Sequence, residues 1–196
     1  YIEQAPAAIV GSVYFQTTGA NPSFTIRGNK IEGPNRDDAD PAVAMSMFPA
    51  SNMNQTVTVT IANNTFRNRM GTGAPIVMQD TGYSASISIA ATIQNNLFYT
   101  EVSTIKTAME FSRGAGNAIT ATITDNAVYG GFAGNVQNSG SSNVGTGTGY
   151  ITLNPYMQLS DAETSNDNDV APFSLLLNIE GAGTRIGATT TTRRTT

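Results

Sequence analysis

Two clusters of carboxylates are the residues best suited to hold an ion. Asp37, Asp38 and Asp40 share one loop, and Asp161, Glu163, Asp167 and Asp169 share another. Calcium is bound by hard oxygen ligands of this kind, which makes Asp37, Asp38, Asp40, Asp167 and Asp169 its candidates. Neither cluster has the spacing and glycine of an EF-hand loop, and a solvated loop is the plainer reading of both. Arg67, Arg69 and Arg113 are the cations that could bind an acidic sugar, although exposure on a solvated face is the commoner fate of such residues. The chain has no Cys and no His. Thiolate chemistry and disulfides are thereby excluded, and the commonest general base and metal ligand is missing.

Asparagine is the other residue that recurs with a chemical purpose. Its carboxamide both donates and accepts, so stacked copies can bond to a neighbour on either side. Asn29, Asn64, Asn96 and Asn126 each sit in the same phrase: Ile26-Arg27-Gly28-Asn29-Lys30-Ile31, Ile61-Ala62-Asn63-Asn64-Thr65-Phe66, Ile93-Gln94-Asn95-Asn96-Leu97-Phe98 and Ile123-Thr124-Asp125-Asn126-Ala127-Val128. The third position holds only Gly, Asn or Asp, the types that enter the left-handed backbone region most cheaply. The fourth is always Asn, at spacings of 64−29 = 35, 96−64 = 32 and 126−96 = 30. A strand, a one-residue bend and an inward Asn, repeated at this period, describe a coil of a β-solenoid with an internal Asn ladder. Asn-containing hairpin turns in a β-sandwich are the competing reading, but they would not keep the flanking residues in register through every copy.

The elements around the bends follow from alternation. Val57, Val59 and Ile61 alternate with Thr, and Ile87, Ile89, Ala91 and Ile93 form the longest such run; both are half-buried strand patterns. A second strand precedes each Asn strand, over 9–17, 42–48, 75–79 and 106–112. Its expected inward anchors are Phe15, Met47, Met78 and Phe111. With the short strand after each bend, this makes three strands per turn. Residues 130–149 are rich in Gly, Ser and Asn and read as a long loop. Ile151-Thr152-Leu153-Asn154-Pro155-Tyr156 matches the template except at Leu153, and 173–179 reads as a strand. The expected layout is one domain over 1–180 and a Gly/Thr/Arg-rich tail over 181–196. No helix is expected.

Composition narrows the partners. The chain has 196 residues, 12% of them charged, with a net charge of −4 and a pI near 4.6. An acidic, charge-poor surface disfavours nucleic acid and anionic membranes. No apolar run reaches the ~18 residues of a membrane span. A polar β composition rich in Thr, Asn and Gly is common outside cells. Asn54-Gln55-Thr56 and Asn63-Asn64-Thr65 are glycosylation sequons, and a glycan on Asn63 would have to point outward from the bend.

The bends resemble the repeats of right-handed parallel β-helix proteins of the pectin-lyase-like superfamily, over about residues 9–131 and more loosely over 150–180. The resemblance implies an all-β, right-handed parallel β-helix of about five or six coils. It implies little about function, because similar coils occur in polysaccharide lyases and hydrolases, tailspikes and adhesins. Lyases of this fold use Asp and Glu clusters for calcium and a Lys or Arg base. The outward positions of the second strand, aligned on the anchors, carry one carboxylate, Glu110, and no such constellation. Asn68-Arg69-Met70 resembles part of a pectate-lyase motif but lacks its following Arg-Pro-Arg, and the Gly-His-Gly of related glycosidases needs a His. The expectation is therefore a non-enzymatic extracellular or cell-surface β-helix without a cofactor, structural or adhesive, stacking end to end with itself. A polysaccharide lyase or a glycan-binding module is the alternative. The stacking expectation rests on the lack of any polar cap recognisable at either end of the repeats.

Overall fold

The computed structural model describes residues 9–15, 21, 23–32, 43–49, 55–68, 73–80, 87–100, 105–113, 118–140, 142–152, 180–181 and 184–185. The carboxylate clusters Asp37, Asp38, Asp40 and Asp161, Glu163, Asp167, Asp169 lie outside these residues. So do Arg69, Asn54 of its sequon, and the expected strand over 173–179.

Every regular element among the described residues is a strand. In order these are β1 (Ile9–Phe15), β2 (Ser23–Arg27), β3 (Lys30–Glu32), β4 (Val43–Pro49), β5 (Gln55–Ala62), β6 (Thr65–Asn68), β7 (Ile76–Asp80), β8 (Ile87–Gln94), β9 (Leu97–Thr100), β10 (Ile105–Arg113), β11 (Ala118–Thr124), β12 (Ala127–Tyr129), β13 (Phe132–Gly140), β14 (Glu180–Gly181) and β15 (Thr184–Arg185). They form three parallel sheets, each taking one strand in three: β1-β4-β7-β10-β13, β2-β5-β8-β11 and β3-β6-β9-β12. A bend joins each strand of the second sheet to the next strand of the third. This is the arrangement of a β-solenoid. The exception is the small antiparallel pair β14–β15, which falls where the sequence suggested only the start of a tail.

The core follows from the alternation. Val57, Val59, Ile61, Ile89 and Ile93 face Ile76, Met78, Met109 and Phe111 from the first sheet and Ile31, Phe66 and Phe98 from the third in one buried cluster. Phe66 and Phe98 stack with ring centroids 5.0 Å apart and planes within 6°. Parallel in-register pairing places like residues on one another, Phe66 on Phe98 and Ile61 on Ile93. Each full burial of such a side chain stabilises the fold by roughly 1.5–3 kcal/mol.

The structure corrects three sequence expectations. First, the anchors do not form one column. Met78 pairs with Phe111, but its partner in β4 is Met45, while Met47 pairs with Asp80 and Phe15 with Pro49. Loops of unequal length join the first sheet to the second, so distance along the chain from the ladder Asn does not give the level. Second, residues 130–149 are not one loop, because Phe132–Gly140 is a nine-residue strand beside β10. Its Phe132 and Val136 pack on the core, set among Gly and Asn that hide the alternation. Third, the level next to Asn126 bends at Gly149–Tyr150, ahead of the phrase at 151–156, of which residues 153–156 lie outside the described residues. Thr124 bridges Thr148 and Ala127 bridges Ile151, which puts Gly149 over Asp125 and Tyr150 over Asn126.

Candidate functional site

The bends supply the local geometry. Asn63, Asn95 and Asp125 have φ of 56°, 56° and 55°, and Gly28 and Gly149 have 71° and 69°. A left-handed residue turns the chain by one step and leaves the following side chain aimed inward, which is why the third template position is restricted. The fourth position then makes a continuous chain of hydrogen bonds. Asn64 Oδ1 accepts from the Asn29 N–H at 2.9 Å and Nδ2 at 3.2 Å. Asn96 Oδ1 accepts the same pair from Asn64 at 2.9 and 3.0 Å, and Asn126 Oδ1 accepts it from Asn96 at 2.9 and 3.0 Å. Each Nδ2 also reaches back to the preceding level, donating to Ile26 O, Ile61 O and Ile93 O at 2.9 Å. Asn64, Asn96 and Asn126 are fully buried. Burying carboxamides without partners would cost several kcal/mol each, so the ladder is what allows polar groups inside this core.

At the C-terminal side of the ladder Tyr150 replaces Asn. Its hydroxyl donates to Thr146 O at 2.6 Å and its ring packs on the core. Glycine is required below it: a Cβ on Gly147 would lie 2.8 Å from both an Ile123 methyl and the Tyr150 hydroxyl. Asn138 holds the lead into this segment. Its Nδ2 donates to Val144 O at 2.9 Å, while its Oδ1 accepts from the Val144 N–H and the Ser142 hydroxyl at 3.0 and 2.7 Å. The chain thus covers this side of its core with its own residues 142–152. The covering residues are Val, Tyr and glycines, not the polar residues of a usual solenoid cap.

Burial pushes the Tyr150 phenol up from 10.0 to about 12. The neutral phenol is the form favoured in the folded chain. The stabilisation it gives is therefore complete below the unfolded value near 10 and is lost as pH rises through about 12. Ultraviolet difference titration should show a late phenolate transition in this chain that is absent from Tyr150→Phe, and stability should fall over that same interval.

Arg67 is placed differently from expectation. It is only 2% exposed, between Glu32 and Tyr99 in register. Thr65, Leu97 and Ala127, which alternate away from Phe66 and Phe98, are buried as well, so both faces of the third sheet are covered here. Arg67 is therefore a buried cation and not one exposed on a solvated face. Arg113 ends β10 opposite Gly140 in the first sheet, whereas Arg67 lies in the third. Arg67→Ala is expected to cost about 1–3 kcal/mol of stability by emptying a packed site. A melting curve, run beside a binding assay on acidic polysaccharide, checks that the loss appears in stability and not in affinity.

On the first sheet the column Val77–Glu110–Gln137 faces away from the Met78–Phe111 column and carries one carboxylate. Tyr99 and Tyr129 stack on the outer side of the third sheet with centroids 6.2 Å apart and planes within 1°. Among the described residues no three carboxylates gather as a metal-ligating group. No protein-family model, curated protein or solved structure matches this chain.

Proposed function

We propose that this chain is a right-handed parallel β-helix of five or six coils, of the pectin-lyase-like kind its bends resemble. It serves outside the cell or on its surface as a non-enzymatic structural or adhesive element that assembles end to end. The observation that carries this reading is the use of the repeat. The positions common to all copies, the left-handed residue and the ladder Asn, are spent on the bends and the buried hydrogen-bond chain. Among the described residues, the outward columns repeat no acid, base or ligand set from level to level. A repeat selected for a reaction would place such residues on neighbouring levels. A repeat selected for length needs only that each level fit the next.

Sedimentation and negative-stain micrographs of the purified protein test the assembly, and a panel of acidic polysaccharides tests the absence of turnover. Rods whose length grows with concentration, without unsaturated sugar products, are the expected result. Release of unsaturated oligosaccharides would establish a lyase instead. Saturable glycan binding by a monomer would establish a binding module.

A further inference from the structure

Three links join each bend to the next along the ladder. The left-handed residue donates its N–H to the carbonyl just before the next bend: Gly28 to Ala62, Asn63 to Gln94, Asn95 to Thr124 and Asp125 to Thr148, at 3.3, 3.2, 3.3 and 3.0 Å. The ladder residue donates its own N–H to the next Asn Oδ1, at 2.9 Å in each case. Its carbonyl accepts from the residue after the next Asn: Asn29 from Thr65, Asn64 from Leu97, Asn96 from Ala127 and Asn126 from Ile151, at 2.9, 2.8, 2.8 and 3.0 Å. The same bend geometry recurs at Gly149, whose φ of 69° matches the 71° of Gly28.

The two end bends therefore hold complementary halves of this set. At Gly149–Tyr150 the Gly149 N–H, the Tyr150 N–H and the Tyr150 carbonyl stand where the next level would receive them, and among the described residues no next level follows. At Gly28–Lys30 the receiving groups stand open among the described residues: the Arg27 carbonyl, engaged there only by Asn29 Nδ2 at 3.1 Å, the Asn29 Oδ1, and the Lys30 N–H. All of them belong to one set of columns. Arg27, Ala62, Gln94, Thr124 and Thr148 share one column, and Lys30, Thr65, Leu97, Ala127 and Ile151 share another. Among the described residues, β1 of the first sheet pairs only with β4 and β13 only with β10.

We propose that a second copy of this chain seats its Gly149–Tyr150 bend on the Gly28–Lys30 bend of the first. In the joint Tyr150 N–H donates to Asn29 Oδ1, Gly149 N–H donates to the Arg27 carbonyl, and Lys30 N–H donates to the Tyr150 carbonyl. The inference rests on the end-to-end reading above and names the residues that make the contact. A second copy is the occupant because donors and acceptors of one register are divided between the two ends of a single chain. Unpaired strand edges are templates for such pairing, and joining unlike ends does not close, so copies add without limit.

A cysteine pair tests the joint. Arg27 and Thr148 are both exposed, and the chain has no Cys of its own. Within one copy they lie roughly 19 Å apart, at ~4.8 Å per level. In the joint they become neighbours at ~4.8 Å, within disulfide reach. Oxidised R27C/T148C should run on a non-reducing gel as a series of dimers, trimers and longer products, whereas either single variant should stop at the dimer. Lys30→Pro, which removes the outward N–H, should raise the concentration for half-assembly at least tenfold with little change in melting temperature. If the unsubstituted chain forms rods but the double variant gives no product beyond the dimer, the joint is wrong while the stacking reading stands. If the unsubstituted chain stays monomeric at every concentration, both fall.

Discussion

Replacing Asn96 by Ala is expected to lower folding stability by about 3–5 kcal/mol, at ~1–3 kcal/mol for each buried polar group left without a partner. Asn96 is the best connected member of the ladder. Its Oδ1 accepts two donors from Asn64, and its Nδ2 serves Ile61 O, Gln94 O and Asn126 Oδ1. Alanine leaves the Asn64 N–H and one Asn64 Nδ2 hydrogen without their acceptor, while the other Nδ2 hydrogen still donates to Ile26 O. Urea denaturation of the variant and the parent measures the difference. Asn96→Asp sharpens the test, because it keeps the acceptor and removes the donors. A carboxylate there would face Ile61 O and Asn126 Oδ1 while buried, so burial raises its pKa and the neutral acid is favoured when folded. Its stability should then be highest at acid pH and fall as pH rises, and the parent should not show that loss. A loss below about 1 kcal/mol in Asn96→Ala would mean that the ladder is replaceable by water.

Phe98→Ala is expected to cost about 3–5 kcal/mol by the cavity it leaves. The Phe98 ring is fully buried and stacked on Phe66 at 5.0 Å, so the substitution removes apolar burial and the stacking contact together. Phe98→Leu should recover most of the loss, because it refills much of the volume without the ring. Phe98 lies two residues after Asn96 on the same inward face. Substitutions at both positions should therefore be non-additive by about 0.5–3 kcal/mol in a double-mutant cycle. Calorimetry of the parent, the two single variants and the double variant gives all the terms.

Much of the bend was legible because its demands are local. A left-handed φ selects Gly, Asn or Asp, and the positions so restricted, Gly28, Asn63, Asn95 and Asp125, are those with positive φ. An inward carboxamide must find partners in a dry core, and only a residue in the same phrase on the next level stands at the right place. The strands beside the bends were legible in the same way, since Val57, Val59 and Ile61 alternate within one strand.

What escaped the sequence was decided between levels. Met45, not Met47, stands under Met78, because pairing sets register across the sheet while loops of unequal length separate the strands along the chain. The stretch Phe132–Gly140 has little apolar pattern of its own; β10 offered it an edge, and pairing made it a strand. Tyr150 took the place of a ladder Asn because Gly147 left room for its ring, a fit that involves Ile123 on another level. Arg67 reads as a surface cation until the third sheet is covered on both faces. By itself the sequence determined the conformation of each bend and the partner chemistry of each ladder residue, because those depend on a few adjacent atoms. Register, the covering of the sheets and the pairing of edges depend on which segments meet across space, and only the tertiary structure decided them.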